Sequence, residues 1–249
     1  MNKKTGFTIY GAYVVCIIIL AFCWFGALYL KEKTTIEFKI RQWDPATVSL
    51  VDLGFTPEKI SAKHIEVDKQ IISWQDFSYL VVSSFYPQSY SAAMFIYGPG
   101  IHGETDLKSI LILSNGLEGL VIDKIPHIIK VVDINEDNSP ELVVDIGSYT
   151  EYYEQYTILT LENDSLRLVF NEWIDKDKDT QQMVNKGPIV FIEGGNEAGT
   201  MNFEIDVENH CVKVYRGLAP QSKEEDWQWT SVIYELQPIE HQFVFKSME

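Results

Sequence analysis

Residues 131–148 read V-V-D-I-N-E-D-N-S-P-E-L-V-V-D-I-G-S: an apolar run, five oxygen-bearing side chains at odd spacing, and a second apolar run. Asp133, Asn135, Asp137, Ser139 and Glu141 fall at positions 1, 3, 5, 7 and 9 of a loop. That is the spacing with which a short loop wraps a hard cation in oxygen ligands. Three carboxylates held around one centre repel one another unless a divalent ion offsets their charge. The flanking runs are short and rich in Val and Ile, so the loop is expected to join two strands. An EF-hand is excluded, because position 6 is Asn138 instead of Gly and position 12 is Val144 instead of a bidentate Glu.

Outward from this loop the pattern stays strand-like. Short runs rich in Val, Ile, Tyr and Phe recur at 36–40, 47–51, 70–74, 79–83, 93–97, 109–113, 119–123, 128–132, 142–146 and 156–161. They continue at 165–170, 188–192, 202–207, 211–215, 231–236 and 242–245, with turn residues between them. Two hairpins are expected, turning at 162–164 and 208–209. One helix is expected over 56–62, with Thr56 as cap and Pro57 in the first helical position. The expected fold is all-β: antiparallel meander sheets arranged as a propeller of few, degenerate blades or as a β-sandwich. Shifting the chain by 62 residues lays Leu80-Val81-Val82 on Leu142-Val143-Val144, Tyr90 on Tyr152 and Ile96 on Ile158. The shifted loop, at Ile71, Ser73, Gln75 and Tyr79, has no carboxylate.

The N-terminus carries a membrane signal. After Lys3 and Lys4 no charge appears until Lys31, and residues 8–30 are apolar. As a helix this stretch is roughly 35 Å long, enough to span a bilayer. Tyr10, Tyr13, Trp24 and Tyr29 suit the two aromatic belts. Phe25 and Trp24 are too large for a signal-peptidase site before Ala27 or Gly26, so an uncleaved anchor is expected. Leu20-Ala21-Phe22-Cys23 resembles a bacterial lipobox with Phe22 out of pattern, which leaves lipidation at Cys23 as the alternative. The basic N-terminal stub places that end inside. Residues 1–30 then form the stub and transmembrane anchor, and 31–249 a single-pass membrane protein's extracytoplasmic domain.

Charge narrows the partners. Of 20 basic and 36 acidic residues, only Lys3 and Lys4 lie in the first 30. The rest of the chain is strongly acidic, which opposes nucleic acid and attracts divalent cations. Cys211 is the sole cysteine beyond residue 30, so no disulfide forms within the body and its core must hold it.

The loop is similar to the calcium loops of FG-GAP/VCBS-type repeats, found in the β-propellers of integrin α subunits and in many bacterial surface proteins. The family pattern is D-x-[DN]-x-D-G-x-x-[DE]-[LI]-x-[VI], set between two strands of one blade. The resemblance covers about residues 126–170. It implies calcium held by side-chain oxygens of Asp133, Asn135, Asp137 and Glu141 and by the backbone carbonyl of Ser139. Asn138 departs from the family's Gly, and Asn is the residue that next best tolerates a left-handed backbone.

Other motifs carry less. Asp175, Asp177 and Asp179 alternate with Lys176 and Lys178, a solvated loop before a second cation site. Residues 147–156 hold four tyrosines, either an edge strand or an aromatic platform for a glycan or peptide. No His pair has metal spacing and no nucleophile motif is present. The sequence therefore points to a calcium-stabilised, membrane-anchored β module that binds a protein or a glycan. The alternative is an envelope hydrolase or an enzyme's accessory subunit, using carboxylates such as Asp145, Glu151 and Glu154.

Overall fold

The structure is a computed structural model that describes residues 24–25, 28–33, 43–101, 103–115, 120–175, 183–196, 199–220, 226–237 and 242–248. The expected membrane span at 8–30 lies almost wholly outside these residues, as do the strand expected at 36–40 and the second acidic loop at 176–182. Trp24, Phe25 and residues 28–33 are helical, and among the described residues no helix is long and apolar enough to cross a membrane. The chain divides into two compact units, Met1–Asp44 with Pro99–Asp106, and Pro45–Gly98 with Leu107–Glu249. This division, at 44/45, does not bear on the expected anchor boundary at 30/31. In the smaller unit, the Trp43 indole donates to Thr105 Oγ1 at 3.1 Å, and Gly103 turns with φ +83°.

The larger unit is all-β, as expected. Four strands, β1 (Glu66–Trp74), β2 (Phe77–Tyr86), β3 (Ser91–Pro99) and β4 (Thr105–Ser114), form a sheet in that order. Eleven more form a second sheet: β5 (His127–Val132), β6 (Glu141–Thr150), β7 (Tyr153–Glu162), β8 (Ser165–Leu168), β9 (Phe170–Asp175), β10 (Met183–Pro188), β11 (Val190–Asn196), β12 (Gly199–Asp206), β13 (Cys211–Leu218), β14 (Gln228–Gln237) and β15 (Gln242–Met248). Its path runs β5-β6-β7-β11-β12-β13-β14-β15-β9-β10, with β8 on the other half of the β7 edge. Every strand pair of this second sheet is antiparallel except β15 with β9, which run parallel. Both expected hairpins form, as β7–β8 and β12–β13.

The helix α1 (Pro57–Lys63) forms where expected. Thr56 caps it by accepting the Lys59 N–H, Pro57 opens it, and His64 ends it in a left-handed conformation. Two strand expectations fail. Residues 47–51 form turns: Ser49 and Asp52 bind each other's backbone and side chains, the hydroxyl-to-carboxylate bond being 2.6 Å. These local bonds compete with a ladder and win. Leu120 and Ile122 are buried as a strand would bury them, but 120–123 pairs with no strand. The Val121 N–H goes to Gln155 Oε1 at 2.8 Å and the Ile122 N–H to Asn115 Oδ1 at 2.6 Å.

Two hydrophobic clusters flank β6 and β7. Leu142, Val144, Ile146, Leu159 and Leu161 pack in one with Ile72, Val81, Met94 and Ile96 of the first sheet. Val143 and Ile158 point the opposite way, into a cluster with Phe191, Val212, Leu236 and Phe243. The pair β6–β7 is thus buried on both faces, and removing each such side chain from water contributes about 1.5–3 kcal/mol.

The 62-residue shift corresponds to a structural step. Moved by 62, β3 falls on 153–161 and β2 on 139–148, which are nearly the bounds of β7 and β6. Ile72, Val81 and Ile96 lie in the first cluster; Ile134, Val143 and Ile158, each 62 residues later, lie in the second. Equivalent faces of β2–β3 and β6–β7 therefore point the same way, so that these two strand pairs stack front to back. The acid-bearing loop occupies the β5–β6 connection, where the first meander has the tight turn at Gln75 and Asp76.

Candidate metal centre

Asp133, Asn135, Asp137 and Ser139 all lie on the connection between β5 and β6, and Glu141 is the first residue of β6. Ladder pairing of Val132 with Glu141 closes the loop at its base. Within it, Asp133 accepts the N–H groups of Asp137 (3.2 Å) and Asn138 (3.0 Å), and Asp137 accepts that of Ser139 at 2.7 Å. Asn135, buried, binds Asp137 twice: its Oδ1 accepts the Asp137 N–H at 3.3 Å and its Nδ2 donates to Asp137 Oδ2 at 3.0 Å. These Asx-type bonds are the local chemistry that folds the loop.

Two residues have left-handed backbones, Glu136 at φ +57° and Asn138 at φ +68°. The turn allowed on paper at Asn138 is therefore present. Asn138→Gly is expected to keep or slightly raise the urea midpoint, and Asn138→Val to lower stability by about 1–2 kcal/mol, since a β-branched residue resists this conformation.

Glu141 is the unusual member. It is fully buried, its Oε2 accepts the Ile134 N–H at 2.8 Å, and its Oε1 has no well-aligned hydrogen-bond partner, the Thr160 hydroxyl being the donor beside the carboxyl. Thr160 stands opposite it on β7, with a hydroxyl that is also buried and without a well-aligned partner. Burial pushes the Glu141 carboxyl up to about 8; the Ile134 N–H opposes this, and Asp137 and Asp133 add to it. A fully buried acid with one oxygen poorly satisfied is costly unless it is protonated or meets a cation.

Neighbours that the sequence pattern did not indicate brace the loop. The Trp74 indole donates to Asn138 O at 3.2 Å, and His210 Nδ1 lies 2.9 Å from Ile134 O, a contact that calls for a proton on that nitrogen. They stand 64 and 76 residues away in sequence, so no local motif could announce them.

All donors here are oxygens: three carboxylates, one amide and one backbone carbonyl, which suits a hard divalent cation and not zinc. Among the described residues, no group of three or more His, Cys, Asp or Glu side chains is assembled to hold a metal by itself. Asp133 and Asp137 instead spend oxygens on the loop's own N–H groups. The donor chemistry of these residues, and the poorly satisfied Glu141 oxygen, are compatible with a hard divalent cation.

The other candidate acids have different partners. Asp145 and Glu154 both contact Lys124, at 2.9 and 2.5 Å, and Glu151 sits exposed in the turn between β6 and β7. Burial raises the Asp145 carboxyl, and Lys124 counters it. Burial alone would lower the Lys124 ammonium, but its bonds to Asp145 and Glu154 hold it above its usual value. This is an ion-paired brace, with Gly147 needed beside it because a Cβ there would meet Asp123 Oδ1 at 2.6 Å. The three tyrosines of that run whose side chains are described take separate surroundings. Tyr156 packs on Phe203 at 5.2 Å, Tyr153 donates to Gly199 O at 3.1 Å, and Tyr152 is exposed.

No family model, curated protein or solved structure matches the chain.

Proposed function

We propose that the chain is a membrane-anchored β module facing outside the cytoplasm, stapled by calcium at Asp133, Asn135, Asp137, Ser139 and Glu141, and serving to bind a protein or a glycan. The carrying observation is Glu141: a buried carboxyl on the rim of an all-oxygen loop, with one oxygen that lacks a well-aligned partner. An ion at that oxygen would tie the last residue of the loop to its first, and so β5 to β6, in a body without disulfides. The ion's chemistry is electrostatic; it would neutralise acids and order the loop.

The same-facing placement of β2–β3 and β6–β7, with the loop between β5 and β6, is what a propeller-type reading asks for, while the continuous eleven-stranded sheet suits a sandwich equally well. The FG-GAP/VCBS resemblance is consistent with that placement. Asp145 and Glu154 share Lys124 as ion-pair partner in a structural brace, which does not favour the hydrolase reading.

Terbium substitutes for calcium in oxygen sites and emits when a nearby indole is excited. Trp74, bonded to Asn138 O, stands against the loop. Excitation near 280 nm is expected to give terbium emission that added calcium competes away, that Trp74→Phe weakens and that Asp137→Ala abolishes. Emission unaffected by both substitutions would place the ion elsewhere.

A further inference from the structure

Across β11, β12, β13 and β14, the residues Gly195, Thr200, Gly217 and Trp229 stand opposite one another. Paired residues on neighbouring antiparallel strands share a face, so this is one strip with very little side-chain bulk. The missing side chain at Gly217 lets the Trp229 ring lie across it: a Cβ there would stand 3.0 Å from ring carbons Cη2 and Cζ3. Trp227 lies parallel to it within 28°, with ring centroids 6.1 Å apart. Both remain open to solvent, at 42% and 58% exposure. Two adjoining indoles left half in water offer flat apolar faces with a polar N–H at the edge, suited to stacking.

The chemistry of the occupant follows from the surroundings. The next row on the same face is Asn202, Tyr215 and Ser231, uncharged hydrogen-bonding groups, with the Tyr215 hydroxyl donating to Glu204 Oε2 of the row beyond at 3.0 Å. Flat polymers that stack on indoles include nucleic acids and sugars, and a chain with a net charge of −16 repels the first. A neutral sugar ring offers one flat C–H face to an indole and equatorial hydroxyls to amides and hydroxyls beside it. We propose that Trp227 and Trp229, set on the Gly217 floor, are a stacking site for a neutral polysaccharide. The site deepens the glycan reading above and rests on it, but it does not require the calcium ion.

The test uses the full chain in detergent, run in native gels containing hydroxyethylcellulose, glycol chitin or dextran, with dextran sulfate as the charged control. Retardation is expected by at least one neutral polymer. Trp227→Ala with Trp229→Ala weakens the apparent affinity about tenfold, the loss of two aromatic contacts, while Trp229→Phe keeps most of it. Because both side chains are exposed, an unchanged melting temperature checks that the variants fold. The proposal is overturned if no neutral polymer retards the chain, if the double variant is retarded like the wild type, or if only dextran sulfate retards it. Repeating the gels in chelator separates this site from the ion: retardation that persists keeps the sugar site whatever the fate of the calcium reading.

Discussion

In excess chelator, the unfolding free energy of the full-length chain falls by several kcal/mol as pH is raised from about 5 to about 8. The cause is Glu141, whose carboxyl is pushed up to about 8 by burial, opposed by the Ile134 N–H and reinforced by Asp137 and Asp133. Unfolded, the same group titrates near 4.3. Between the two values the folded chain holds a proton that the unfolded chain has shed. The protonated acid's contribution is therefore complete below about pH 4 and is lost as pH rises through about 8. At 1.36 kcal/mol per pH unit the loss is on the order of 3–5 kcal/mol. Glu141→Gln, which keeps the shape without the titration, removes this part of the slope. Saturating calcium also removes it in the wild type, because the ion holds the carboxylate ionised at every pH in the range. Urea unfolding at a series of pH values reads both effects, and equal slopes for wild type and Glu141→Gln in chelator would contradict the assignment.

Phe191→Ala is expected to cost about 3–5 kcal/mol, the usual loss for emptying a buried aromatic site. The ring is fully enclosed, stacked on Phe203 at 5.2 Å and edge-on to Phe243 at 6.3 Å. It fills the cluster behind Val143 and Ile158, and so supports the outer face of the strand pair that carries the loop. The cavity cannot collapse easily, because it is walled by strands whose ladders fix their spacing. Ile129→Ala, at a position half exposed on β5, is the control and is expected to cost under about 1 kcal/mol. Similar urea midpoints for the two variants would show that Phe191 is not a core residue.

Much of this was legible in the sequence because the chemistry was local. The Asp133–Glu141 spacing, the Thr56–Pro57 helix start and the turns at Asn163 and Asn209 each rest on residues a few positions apart. The left-handed backbone at Asn138 follows from the same local rule. The failures at 47–51 and 120–123 have one cause: side-chain oxygens of Asp52, Gln155 and Asn115 satisfy backbone N–H groups that a ladder would otherwise take. Apolar alternation reports burial, and it does not report which partner the backbone finds.

Long-range features left weaker traces. Five identities at a shift of 62 hinted at a repeat, but only the packing shows that Val81 and Val143 face successive layers. Gln70 joins the two sheets by offering its amide to Ile128, accepting its N–H at 2.8 Å and donating to its carbonyl at 3.0 Å. An isolated Gln in a strand gives no sign of that role. The Trp229 tile likewise depends on Gly217, which is nearby in the ladder and silent in the sequence.

The most direct test of the calcium staple is the melting temperature of the full chain in detergent at pH 7.5, in excess calcium and in excess chelator, for wild type and for Asp133→Ala with Asp137→Ala. The staple predicts a higher melting temperature in calcium for the wild type, by RT ln(1 + [L]/Kd) in free energy, and no difference between the two conditions for the double variant. A wild-type melting temperature identical in calcium and chelator would contradict it.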